Sequence, residues 1–281
     1  MVKEEKSLSA ISLDMDGTLL NSAGQVSAEN IAAIQRINQA KIPIVLASGR
    51  PINSLTRIGQ EWLQVPIYRI GNNGATIANQ RNQIIGQSLI DEAVVMAVAE
   101  IAEHYAINVN FSTMNKWIHF THQTTSAAID EYNETLDEYQ VHTVTQFAKL
   151  NADIKNPVMK FGMKILDDVK FEQVRKALQN LPLTVVESDA HFLEAMAIGT
   201  SKYTALKRLA AIQGWSIDRV LAFGDYENDI ELLDNVGFSV AMGNALATVK
   251  QTADYVTVDN DQHGVAKVLN YYSQYRNLPW L

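Results

Sequence analysis

Ile11-Ser12-Leu13-Asp14-Met15-Asp16-Gly17-Thr18-Leu19 runs from an apolar segment straight into two acids and a glycine. Ile11 to Leu13 reads as a short buried strand that ends at Asp14, and Gly17 marks a turn just beyond it. Because the chain turns there, the Asp14 and Asp16 carboxyls can both stay near the strand tip. Adjacent carboxylates repel, and holding them together without a counter-cation is costly. A hard divalent cation such as Mg²⁺ relieves the repulsion and takes oxygen ligands. The competing reading of the same residues is an Asp-Gly turn that only caps a strand.

The pattern repeats on the C-terminal side of this stretch. Ser27 reads as a helix N-cap, with Val26 and Ile31 at the staple positions and Ile31, Ile34 and Ile37 at helical spacing. Ile42 to Ala47 is a continuous apolar run with a polar end, Ser48-Gly49-Arg50, and a helix is expected from Pro51. Ile67-Tyr68-Arg69-Ile70 then ends in Gly71-Asn72-Asn73-Gly74. Strand, polar tip and helix in succession predict a doubly wound, Rossmann-like α/β core on a parallel sheet, with ligands at the carboxyl ends of its strands. The pattern returns in strands expected at Arg219 to Phe223, Phe238 to Met242 and Tyr255 to Val258.

The middle of the chain is different. Helices are expected at about 91–105, 125–138 and 168–180, and strands at Trp117 to Thr121 and Val158 to Leu166. Their alternation suggests an antiparallel sheet with one covered face. The expected organisation is a core from residues 1–85 and 190–281, with residues 86–189 inserted as an α+β domain.

Asp14-Met15-Asp16-Gly17-Thr18-Leu19 resembles the first signature of the haloacid dehalogenase superfamily of phosphohydrolases. Three more segments extend the resemblance in order: Ser48 in Leu46-Ala47-Ser48-Gly49-Arg50, Lys202 in Gly199-Thr200-Ser201-Lys202, and Gly224-Asp225-Tyr226-Glu227-Asn228-Asp229. Asn72-Asn73-Gly74-Ala75 and Ala241-Met242-Gly243-Asn244-Ala245 resemble segments of the Cof-type subfamily, whose large α/β cap lies between the second and third signatures. Tyr203 and Tyr226 depart from the pattern, standing where relatives often carry smaller residues.

The resemblance implies a Mg²⁺-dependent phosphatase acting on small phosphorylated metabolites, with sugar phosphates the default substrate class. It implies Asp14 as nucleophile and Asp16 as acid and base. The metal would be held by Asp14, the Asp16 backbone carbonyl and Asp225, and the phosphoryl group by Met15, Ser48, Gly49, Lys202 and Asn228. Asp229, Arg50, Asn72, Asn73 and Asn244 are secondary candidates. Each has a plainer reading: Ser48 as a helix N-cap, Lys202 as a solvated lysine, Asp229 as an acid in a first helical turn, Asn72 and Asn73 as turn residues.

Composition bounds the rest. The 281 residues are 47% apolar and 19% charged, enough for packed domains. A net charge of −8 argues against nucleic-acid binding, and the absence of cysteine excludes disulfides and thiolate chemistry and fits a reducing compartment. Neither a signal peptide nor a membrane span is read from the sequence, so a cytoplasmic protein is expected. His119 and His122, three apart on an expected strand, face opposite sides and make a poor metal pair. Trp117, Phe120 and Phe161 are expected in the core of the inserted domain. A phosphotransferase or phosphomutase on the same scaffold, and a binding protein without activity, are the alternatives to hydrolysis.

Overall fold

The structure, a computed structural model, describes residues 7–113, 116–121, 140–144, 157–275 and 278. His122 and the helix expected at 125–138 lie outside these residues. The chain divides into two compact units, Met1–Gly86 with Ser201–Leu281, and Gln87–Thr200.

In the first unit, β1 (Ala10–Leu13), β2 (Ile44–Ala47) and β3 (Ile67–Gly71) run parallel. Every residue of β1 and β2 is buried, so these strands read as unbroken apolar runs rather than alternating ones. α1 (Ala28–Gln39) starts at its expected cap, where the Ser27 side chain accepts from the Asn30 amide. α2 (Ile52–Arg57) follows β2, with Pro51 at the N-cap instead of the first helical position. β4 (Thr76–Ala78) then turns back antiparallel to β3, and β5 (Ile84–Gln87) forms the sheet edge. This extension makes the sheet mixed. The sequence reading missed it because three residues are too few for a two-residue period to register.

The second unit holds α3 (Glu92–Tyr105), β6 (Val109–Thr113), β7 (Lys116–Phe120), β8 (Gln140–Val144), β9 (Val158–Lys164), α4 (Asp168–Gln179), β10 (Leu183–Asp189) and β11 (Phe192–Ala197). The strand order is β10-β11-β9-β6-β7-β8, antiparallel apart from the β7–β8 pair. Val95, Val98 and Ala102 of α3 and Phe171, Val174 and Leu178 of α4 pack with Phe111, Phe120 and Phe161 on one sheet face. Trp117 is not in that core; it alternates with Ile118 and shares the opposite face with His119. His119 is buried, and its ring bonds the Asn110 side chain at 2.5 Å. Burial lowers its pKa to about 4, so it is a neutral interior histidine. Lys160 and Glu194 form a buried ion pair on neighbouring strands. The boundary expected at 189/190 falls inside the β10–β11 pairing, which keeps both strands in this unit as far as Thr200.

The chain returns through α5 (Lys202–Gln213), β12 (Val220–Gly224), α6 (Ile230–Asn235), β13 (Phe238–Ala241), α7 (Ala247–Thr252), β14 (Tyr255–Val256) and α8 (Gly264–Tyr275). The sheet order is β14-β13-β12-β1-β2-β3-β4-β5, with β12 parallel to β1 in the register Leu13↔Phe223. Strands succeed one another outward from β1 on one side and from β12 on the other. The order reverses between those two, which is where open α/β sheets bind ligands. Among the described residues, no helix is long and apolar enough to cross a membrane.

Candidate active site

Asp14 leaves the tip of β1 and Asp225 the tip of β12, so the β1–β12 register alone brings them side by side. The turn after Asp14 is closed by two five-residue hydrogen bonds, Leu19 N–H to Asp14 O at 3.3 Å and Leu20 N–H to Met15 O at 2.9 Å. It needs Gly17, whose φ is +75°. A Cβ there would also lie 2.1 Å from Asp225 Oδ2. Thr18, inside the turn, donates to Asp225 Oδ1 at 2.8 Å. The Met15 side chain is fully buried in the core, so only its backbone can meet a ligand.

Lys202 is the first residue of α5, behind a capping box made by Ser201 and Thr204. Its side chain is 1% exposed, and Nζ donates to Asp14 Oδ1 at 2.6 Å and to Asp229 Oδ1 at 2.7 Å. The surface-lysine reading is therefore excluded. Asp229 is fully buried and accepts on Oδ2 from the Asp225 amide at 3.0 Å and the Tyr226 amide at 3.4 Å. It ties the loop after β12 to the lysine.

Asp14, Asp225 and Asp229 offer oxygens that all lie within 4.8 Å of one another. Fully ionised, the three buried carboxyls would exceed the one ammonium by two negative charges. Burial pushes the Asp14 carboxyl well above the usual range, with Asp229 and Asp225 adding to the effect and Lys202 opposing it. Burial, then Asp229, raises Asp225 to about 7. Burial alone would lower the Lys202 pKa, but Asp14 and Asp229 together raise it above its ordinary value. An all-oxygen set with a surplus of two negative charges fits a hard divalent cation in both charge and donor type.

Asp16 stands apart from this cluster. Its carboxylate is held by Arg50, with Nε to Oδ2 at 2.9 Å and Nη2 to Oδ1 at 2.6 Å. The expected repulsion between the Asp14 and Asp16 carboxyls is thus relieved at Asp16 by a guanidinium, and the crowding of acids falls on Asp14, Asp225 and Asp229. Ser48 is buried at the β2 tip, where its hydroxyl accepts from the Arg50 amide at 3.1 Å; Gly49 lies between them. Asn72 and Asn73 are buried, with φ of 51° and 52°, and Asn228 donates to Asn73 Oδ1 at 3.1 Å. Asn244 braces the turn, donating to Gly17 O at 2.8 Å and accepting from the Asn260 amide at 3.1 Å.

Asp229, a secondary candidate in the sequence, has its carboxyl beside those of Asp14 and Asp225. The bonds of Thr18 to Asp225 and of Arg50 to Asp16 were not foreseen. A hydroxyl directly after the turn glycine, and a cation at the next strand tip, were their only signals in the sequence.

Buried carboxylates gathered with a lysine where the strand order of a doubly wound sheet reverses define an α/β enzyme site. Residues 11–269 match the haloacid dehalogenase-like hydrolase family, and the chain belongs to it. A 5-amino-6-(5-phospho-D-ribitylamino)uracil phosphatase of Bacillus subtilis is 28% identical over 272 residues, covering 96% of this chain and 98% of its own. Another Bacillus subtilis phosphatase is 29% identical over 282 residues, covering 93% and 98%. A solved haloacid dehalogenase-like hydrolase from the same organism is 27% identical, with a TM-score of 0.85 over 94% of this chain and 99% of that one.

Proposed function

We propose that this chain is a phosphatase in which Asp14 attacks the phosphorus of a small phosphomonoester. The observation that carries the reading is the Lys202 ammonium shared between Asp14 and Asp229 in a buried, carboxylate-rich site. Lys202 fixes one Asp14 oxygen and supplies positive charge where a phosphate must approach an anionic nucleophile. Asp14, the Asp16 backbone carbonyl and Asp225 would hold Mg²⁺, with Asp229 positioning Lys202 and the loop after β12. The ion would keep Asp14 ionised and neutralise charge on the phosphoryl oxygens.

In the first step a bond forms from an Asp14 oxygen to phosphorus as the ester P–O bond breaks, and the leaving oxygen takes a proton from Asp16. In the second, water gives a proton to Asp16 and attacks phosphorus, releasing inorganic phosphate and restoring Asp14. Ser48, Gly49, the Met15 backbone and Asn228 would hold the phosphoryl group, and the Asn73 bond would orient Asn228.

We assign Gln87–Thr200 the part of a cap that selects the leaving group. The substrate class is a metabolite bearing a primary phosphate on a sugar or polyol chain. Two further relatives, 28% and 27% identical, are also named as ribitylaminouracil-phosphate phosphatases.

Asp14→Asn should abolish turnover, lowering kcat by about 10⁴-fold or more, as loss of a covalent nucleophile does in comparable enzymes. Near-normal turnover of a metabolite-phosphate panel with Mg²⁺ would remove the nucleophile assignment. A transferase on the same scaffold would release no free phosphate from a monoester unless a second hydroxyl compound were added.

A further inference from the structure

The Arg50 side chain makes a two-point contact with Asp16 that hydrolysis of phosphate does not by itself require. Leu13 pairs with Leu46, so the loops following β1 and β2 rise side by side, and a long side chain from one reaches the other. The Arg50 main chain is fixed on both sides. Its amide donates to Ser48 Oγ at 3.1 Å, and its carbonyl accepts from the Asn72 amide at 2.9 Å. Gly71 packs so close that a Cβ there would lie 3.0 Å from the Arg50 carbonyl. From that anchored backbone the guanidinium places two nitrogens on the two Asp16 oxygens. A fork of this kind fixes the plane of a carboxylate as well as its position, which a lysine cannot do.

Asp16 needs such support. It sits in a turn and its side chain is 59% exposed. Left alone, it would spread over several rotamers, and few would direct an oxygen toward the ester oxygen that leaves phosphorus. A carboxylate offers about four lone pairs, and the fork engages one on each oxygen. Each oxygen keeps a second lone pair with which to exchange a proton.

We propose that Arg50 is the positioning residue for Asp16, holding its carboxylate in the one orientation from which it serves the leaving oxygen. The inference rests on the assignment of Asp16 as proton donor. Arg50 takes no proton and forms no bond to phosphorus in either step.

Aryl phosphates test this without knowledge of the natural substrate. Departure of phenolate from phenyl phosphate needs a proton, whereas departure of 2,4-dinitrophenolate does not. kcat/KM is the parameter to read, because it covers only the steps up to leaving-group departure. In Arg50→Met and Arg50→Lys, the ratio of kcat/KM for phenyl phosphate to that for 2,4-dinitrophenyl phosphate should fall by about ten- to a hundredfold, the scale of a misplaced proton donor. Asp16→Asn sets the full size of the effect. An equal loss on both substrates would mean that Arg50 acts on the phosphoryl group, and an unchanged ratio that it does not position Asp16; either overturns the proposal. If Asp16→Asn leaves the ratio unchanged, the donor assignment fails instead. If the wild type hydrolyses neither ester, the phosphatase reading fails. Melting temperatures identify a variant that fails to fold, and Arg50→Gln then takes its place.

Discussion

Lys202 carries the heaviest electrostatic duty of any single residue in the site. Its ammonium, 1% exposed, donates to both Asp14 and Asp229 in the interior and opposes the burial that raises the Asp14 pKa. Removing one partner from a buried ion network costs about 3–5 kcal/mol, because the remaining charges are left uncompensated. Lys202→Met should therefore lower the melting temperature markedly in EDTA. Added Mg²⁺, or acid that protonates the carboxylates, should restore part of the loss, and differential scanning fluorimetry reads all three conditions. Turnover should fall by about a hundredfold or more even where stability is restored, since the charge facing the phosphate is gone. Asp14, Asp16, Lys202 and Asp225, the residues the proposed chemistry uses most, can all be picked out in the sequence because each lies in a short motif. Asp229 and Thr18 are harder to see. An acid in a first helical turn and a threonine after a glycine have ordinary explanations, and only their bonds to Lys202 and Asp225 give them another.

The turn between β1 and α1 joins covalent geometry to the carboxylate cluster. Gly17 is held at positive φ with Asp225 pressed against it, so a side chain there is both strained and in collision. Gly17→Ala should cost about 1–2 kcal/mol for the left-handed backbone alone. It should also push Asp225 aside and weaken magnesium activation by at least about tenfold. A magnesium titration of activity, set beside the melting curve, separates the two effects: strain alone would lower stability and leave the midpoint of the titration in place. Strands and caps at this level follow from local sequence, as Ser27 and the apolar runs of β1 and β2 demonstrate. β4 does not, because its pairing with β3 depends on the left-handed Asn72-Asn73-Gly74 loop reversing the chain. Asparagine and glycine permit that conformation without requiring it.

Across the whole molecule, the site is one source of the response to pH. Burial raises the Asp14 and Asp225 pKa values, so these two carboxyls bind more protons in the metal-free folded chain than in the unfolded one, whereas buried His119 binds fewer. The stability contributed by Asp225 is then complete below the ordinary carboxyl range and is lost as pH rises toward about 7. Mg²⁺ and protons compete for these oxygens, so the ion should stabilise more at pH 8 than at pH 5.5. Saturation at a hundred times Kd is worth about 2.7 kcal/mol, enough to read as a shift in melting temperature. A shift larger at the lower pH would show that these carboxylates are not the metal's ligands. Division of the chain was only partly readable: helical and alternating patterns marked an insertion, but its C-terminal limit depends on β11 pairing with β9 and β10. By itself, the sequence determined the alternation of strands and helices and singled out the candidate reacting groups, because periodicity and side-chain chemistry are local properties. The tertiary structure alone decided which acids meet, since strand order and register put Asp14 beside Asp225, drew Lys202 across a separation of 188 residues and turned Asp16 toward Arg50.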